Sequence, residues 1–193
     1  MTRLPLTLEQ LRYSTSARLD DAETYVDWLN DAMQQYQIDT HLRIAAFLAT
    51  VAIESAHLRV AEESLYYLNP ERLAKIFPRA FKSAQEAEPY ARNPEALSEK
   101  LYDGYHGRGL IQLTWRKNYQ ECSNALGVDF VTQPEKLTHP KWASFSAAWY
   151  FNSHGCLSAA DRGDMDEVTL LVNGPTKMHL KERMDQYAIA LLA

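Results

Sequence analysis

The chain has only two cysteines and seven glycines in 193 residues, no long apolar run and no surplus of positive charge. Two thiols cannot build a disulfide framework, and a chain of this length buries enough core to fold without one. Lys and Arg number 20 against 25 Asp and Glu, a net charge of −5, so the counterion-displacing basic surface of a nucleic-acid binder is missing. No stretch approaches the ~18 uninterrupted apolar residues of a membrane-spanning helix. The segment Met1-Thr2-Arg3-Leu4-Pro5-Leu6-Thr7-Leu8 lacks the apolar core and small-residue cleavage site of a signal peptide. The protein is therefore expected to be made in the cytoplasm and to need another carrier if it works outside. The six histidines show no metal-ligand spacing and the glycines no phosphate-loop or dinucleotide pattern, so neither metal nor cofactor is expected. Ser55 sits in no nucleophile elbow. With no repeat, linker or charge block, residues 1–193 read as a single, monomeric domain.

What the chain does have is helical periodicity. Val26, Leu29, Met33 and Tyr36 mark an amphipathic helix over roughly 20–37. Residues 42–57 form a second helix, apolar almost all round and so expected at the centre. Asn69-Pro70 and Asn93-Pro94 each read as an N-cap followed by Pro at the first helical position, with Pro78 ending the helix between them. Further helices are expected over 117–126, ended by Gly127, over 140–153 with Trp142, Phe145 and Trp149 on one face, from Asp164 to Leu171, and last around Leu180, Met184, Tyr187 and Leu191. Short extended pieces are expected only within 56–68 and 102–114. The fold class is mainly α with a small β element at most. Cys122 and Cys156 read as small buried hydrophobes rather than a disulfide, although a Cys–His peptidase built on either stays open.

Three places carry chemistry. Glu54 lies three residues after Val51 and seven after Phe47, on the apolar stripe, where loss of water disfavours the charged form and suits a general acid. The ordinary alternative is a buried Glu that satisfies a backbone group. Glu63 follows nine residues on, which at about 100° per residue is the opposite side of a straight helix. The two can face one cleft only if the chain turns between His57 and Glu62. A pair so placed across a water is the geometry of an inverting glycosidase. Alternation lets only one of Glu62 and Glu63 face that cleft, and the residues alone do not say which. Lastly, Gln112 and Thr114 alternate with Ile111 and Leu113, so an extended piece would present an amide and a hydroxyl together. Asn118 follows at the next helix onset, a set suited to sugar hydroxyls, N-acetyl groups or a nucleophilic water. A polar cap network is the more common use of such residues.

Ala46-Phe47-Leu48-Ala49-Thr50-Val51-Ala52-Ile53-Glu54-Ser55, Glu62-Glu63-Ser64-Leu65-Tyr66-Tyr67 and Gly107-Arg108-Gly109-Leu110-Ile111-Gln112-Leu113-Thr114 with Asn118-Tyr119 together resemble the chitinase-like glycoside hydrolases of family 19. The branch most resembled is that of bacteriophage endolysins and bacterial wall-degrading proteins. The likeness runs through Val172-Asn173-Gly174 to Arg183 and Tyr187. It implies a lysozyme-like fold, two helical lobes around a substrate cleft, and inverting hydrolysis of β-1,4 bonds between N-acetylated sugars. By position Glu54 matches the general acid and Glu63 the general base. Gln112, Thr114, Asn118 and Tyr119 match substrate- and water-positioning residues, and Asn173 and Arg183 match positions that support the cleft. The partner implied is a peptidoglycan glycan strand, reached at the bacterial wall after holin release or delivery by a secretion machine. Delivery as a toxin would bring an immunity protein with it. A lytic transglycosylase using Glu54 alone, a chitinase and a non-catalytic wall-binding relative are the rivals. The chain departs from the family at Ile53 (usually His), at Ala56-His57 (usually two glycines), at Gly174-Pro175 (usually Gly-Gly) and in a trimmed segment Tyr102–His106.

Overall fold

The computed structural model describes residues 3–193, and most of them are helical. The helices are α1 (Leu8–Thr15), α2 (Leu19–Gln35), α3 (His41–Glu54), α4 (Pro70–Ile76), α5 (Ala84–Ala87), α6 (Pro94–Tyr102), α7 (Arg116–Leu126), α8 (Pro140–Ser153), α9 (Cys156–Asp161), α10 (Met165–Asn173) and α11 (Leu180–Ala190). Their ends follow the capping chemistry. Asn69, Asn93 and Asp164 accept from the first-turn amides of α4, α6 and α10, and Gly127 ends α7 in the left-handed region. Helix α1 holds one buried apolar residue, Leu11, and is defined by its capping box, Thr7 with Gln10. Extended pairing among the described residues is reduced to two isolated bridges, Glu62 with Arg108 and Arg108 with Leu113.

Helix α3 is central, as its composition predicts: every residue from Ile44 to Ala52 is buried. Helices α1, α2, α8, α9, α10 and α11 surround it and form one lobe, in which Phe47 meets Phe151 edge-on at 5.4 Å. A smaller cluster of Tyr119, Cys122, Phe130, Leu137 and Trp149 packs α7 against α8. Leu65, Leu73, Phe81, Ala87 and Leu97 make a separate core under α4, α5 and α6, the second lobe. The segments 55–63 and 103–115 run between the lobes and hold the candidate site.

Three expectations are corrected. Helix α3 stops at Glu54 and not near His57, because Ala56, His57 and Leu58 are all left-handed (φ +50°, +62° and +67°). Ser55 secures this turn, its Oγ donating to the Val51 carbonyl at 2.7 Å and accepting from the Leu58 amide at 2.9 Å. Gln112 is not extended: its φ is +53°. Arg108 and Leu113 exchange both backbone hydrogen bonds, at 3.1 and 2.8 Å, and close a four-residue loop over 109–112. In that loop Gly109 is at φ +77°, and a Cβ there would lie 2.9 Å from Ser146 Oγ, so glycine is required twice over. In α11 the apolar periodicity locates the helix but not its inward face, which is Arg183, Gln186 and Ala190, while Met184 is half exposed.

Candidate active site

Glu54 ends α3 with its side chain 15% exposed and ion-paired with Nη2 of Arg183 on α11. The expected burial is there, but the carboxyl faces a guanidinium rather than apolar groups alone. Arg183 is 1% exposed, and its Nε donates to the Met178 carbonyl at 3.2 Å. The Met178 amide in turn donates to Asn173 Oδ1 at 2.7 Å. Asn173, the 174–179 loop and Arg183 thus form one support behind Glu54. Burial raises the Tyr150 phenol above its ordinary value, and the nearby Cys156 and Glu54 add to the shift.

After the left-handed turn Glu62 pairs with Arg108 in an isolated bridge, and the Glu62 and Glu63 side chains take different partners while lining the same cavity. Glu62 Oε1 accepts from His106 Nε2 at 2.9 Å and from Arg108 Nε at 2.8 Å. Glu63 accepts from the Tyr102 hydroxyl at 3.3 Å and the Gly107 amide at 3.4 Å, while its own amide donates to the Gly107 carbonyl at 2.8 Å. Burial first, and then the Glu63 charge, push the Tyr102 phenol up to about 12, so that it stays a donor.

Gly107 is where the polar residues meet. A Cβ on it would lie 2.8 Å from Gln112 Oε1 and 3.5 Å from Thr114 Oγ1, so the missing side chain lets the amide and hydroxyl close on the backbone that also holds Glu63. Asn118 Nδ2 donates to the Thr114 carbonyl at 2.8 Å. Tyr119 is fully buried, its hydroxyl donating to the His106 carbonyl at 2.6 Å and accepting from Arg108 Nη1 at 3.1 Å. Neither Tyr119 nor Arg183 has surface to offer a ligand, and each supports a neighbour instead. Sequence reasoning missed Tyr102, Ser98, His106 and Trp115. Trp115 is half exposed at φ +77° and edge-on to Tyr102 at 5.3 Å. An exposed aromatic residue in the left-handed region is the kind of local strain that collects at binding sites.

A cavity of ≈ 670 Å³ is lined by Glu62, Glu63, Tyr66, Ser98, His106 and Arg108 among others. Glu54 does not line it, so the site is defined here by its side chains and not by cavity size. Both cysteines are free and buried, and burial pushes each thiol up to about 12, which disfavours a thiolate nucleophile. Among the described residues no group of three or more His, Cys, Asp or Glu is placed to hold a metal.

A mostly helical, two-lobed chain of this lysozyme-like architecture, with carboxylates gathered at the junction of the lobes, is of the glycoside hydrolase class. The family model described as chitinase class I matches residues 33–159, and the chain belongs to glycoside hydrolase family 19. It is 31% identical over 145 residues to a glycosyl hydrolase family 19 domain-containing protein of Haemophilus influenzae, covering 67% of this chain and 70% of that one. It is 32% identical over 116 residues to endochitinase EP3 of Arabidopsis thaliana, covering 60% of this chain but only 36% of the plant protein. Among solved structures it resembles chitinase C from Streptomyces griseus, with a TM-score of 0.64 and 21% identity over 98% of this chain and 78% of that one. It also resembles a class IV chitinase from Zea mays, with a TM-score of 0.62 and 18% identity over 98% and 94%. At such identities the structural likeness establishes the fold. Asn173 and Arg183 lie beyond the residues that the family model matches.

Proposed function

We propose that the protein hydrolyses β-1,4 bonds between N-acetylated sugars of peptidoglycan strands with inversion, Glu54 acting as general acid and Glu63 as general base. The observation that carries this reading is the division between two adjacent carboxylates. Glu62 accepts from an imidazole and a guanidinium on one oxygen, Oε1, whereas Glu63 has only two long contacts and sits with Gln112 and Thr114 around Gly107. In the reaction Glu54 gives its proton to the glycosidic oxygen as the bond to the anomeric carbon breaks. Water attacks that carbon from the opposite face and passes a proton to Glu63. The ion pair with Arg183 corresponds to the carboxylate that Glu54 becomes on giving up its proton; before the next turnover Glu54 takes one proton from solvent and Glu63 returns one to it. Gln112, Thr114 and Asn118 orient the sugar and the water.

Because the named relatives include chitinases, chitin fragments are the natural second substrate. The test is digestion of purified sacculi and of N-acetylglucosamine hexamer, with mass spectrometry of the products before and after borohydride reduction. Glu54→Gln and Glu63→Gln should each lower turnover by about 10²–10⁴-fold. Reducible ends support the hydrolase. Non-reducible anhydro ends, or full activity in Glu63→Gln, would replace it with a lytic transglycosylase, and binding without release would replace it with a non-catalytic binder.

A further inference from the structure

Beside the two adjacent carboxylates, on the wall of the same cavity, lies a polar relay that the proposed chemistry does not use. Ser98, on α6 of the second lobe, is 4% exposed, with its Oγ 2.6 Å from His106 Nδ1. His106, 8% exposed, reaches Glu62 through Nε2 at 2.9 Å. Arg108, also 8% exposed, closes the figure, bonding Glu62 through Nε and the Gly104 carbonyl and Tyr119 hydroxyl through Nη1. The Tyr119 hydroxyl returns to the His106 carbonyl. A carboxylate can only accept, so Nε2 carries the imidazole proton and Nδ1 accepts from Ser98. The charged groups facing the ring are Glu62, Glu63 and Arg108. Burial first, then Arg108, hold the ring below its ordinary value and so neutral.

We propose that Ser98, His106 and Arg108 are positioning residues that clamp Glu62 to the second lobe and thereby turn the next residue, Glu63, into the cleft. The inference rests on the reading of Glu63 as the base. Its logic is adjacency: the Glu63 amide donates to the Gly107 carbonyl, between His106 and Arg108, so holding Glu62 on those two residues fixes the backbone from which Glu63 projects. The hydroxyl–imidazole–carboxylate connectivity is also that of a nucleophilic triad, but Ser98 is buried within a helix and Glu62 is already engaged by Arg108. The relay therefore ties α6 to the 61–63 and 106–108 segments, and a loosened clamp lets the base drift by the ångström that costs about 10²-fold in rate.

The test measures kcat and KM of His106→Ala and His106→Gln on whichever of sacculi and N-acetylglucosamine hexamer the protein cleaves. His106→Ala should lower kcat about 10–100-fold with KM within about twofold, and His106→Gln, whose amide can still donate to Glu62, should recover most of the loss. Should His106→Ala fail to fold, Ser98→Ala carries the same prediction with a loss of about threefold or more. An unchanged kcat, or a loss that glutamine does not recover, overturns the clamp. Full activity in Glu63→Gln overturns the base assignment instead, which keeps the two failures apart. A readout without substrate is the ¹⁵N spectrum of the His106 ring at pH 7: protonated Nε2 with unprotonated Nδ1 supports the relay, and an imidazolium or the opposite tautomer refutes it.

Discussion

Replacing Ala56 with glycine should stabilise the protein, although the same exchange in a helix does the reverse. Ala56 is the first of three consecutive left-handed residues after Glu54, at φ +50°. The left-handed region costs an L-residue about 1–2 kcal/mol. Glycine removes that strain but loses about 0.4–1 kcal/mol more entropy on folding, and a half-buried methyl forfeits about 0.4 kcal/mol of apolar burial. The balance is a gain of about 0.5 kcal/mol. Ala188, exposed within α11, is the control: Ala188→Gly should cost about 1 kcal/mol. The two variants therefore differ by about 1.5 kcal/mol, or about 3–6 °C in Tm for a chain of this size. Thermal unfolding followed by circular dichroism reads both. A Tm for Ala56→Gly as low as that for Ala188→Gly would refute the claim that this turn is strained.

The other expectations follow from single contacts. Arg183→Met leaves Glu54 without its partner in a largely buried position and should destabilise by about 3–5 kcal/mol, with part recovered on adding Glu54→Gln. A Tm fall under about 2 °C would contradict a structural ion pair. Gly107→Ala sets a methyl 2.8 Å from Gln112 Oε1, an atom that can swing away. Turnover should fall about tenfold or more while Tm moves by less than about 3 °C, and unchanged turnover would remove Gln112 from the site. With both thiols pushed up to about 12, iodoacetamide at pH 8 should neither label nor inhibit the native protein. Inhibition by alkylation would revive a cysteine nucleophile.

Much of the fold is legible in the residues. Helix α3 is apolar on nearly every face and can only be central, and Asn69-Pro70 and Asn93-Pro94 announce their helices through a side-chain acceptor and a fixed φ. The turn after Glu54, needed if two carboxylates are to face one cleft, is also present. What could not be read were contacts set by distant partners. Arg183, 129 residues away from Glu54, lies off the apolar stripe of Leu180, Met184, Tyr187 and Leu191, and nothing local shows that the inward face of α11 is polar. The residues alone leave Glu62 and Glu63 equivalent, and the distant His106 and Arg108 distinguish them by bonding Glu62. Gln112 reads as extended because Ile111 and Leu113 flank it, yet the hydrogen bonds between Arg108 and Leu113 require a tight loop there.

The central claim is that Glu54 and Glu63 act as an acid–base pair across a water. The most direct test follows the anomeric protons by NMR in the first minutes of glycan cleavage. With inversion, each new reducing end appears first as the α-anomer and then mutarotates, with no signal from Glu63→Gln. A β-anomer formed first, or anhydro ends with no reducing sugar, would contradict it.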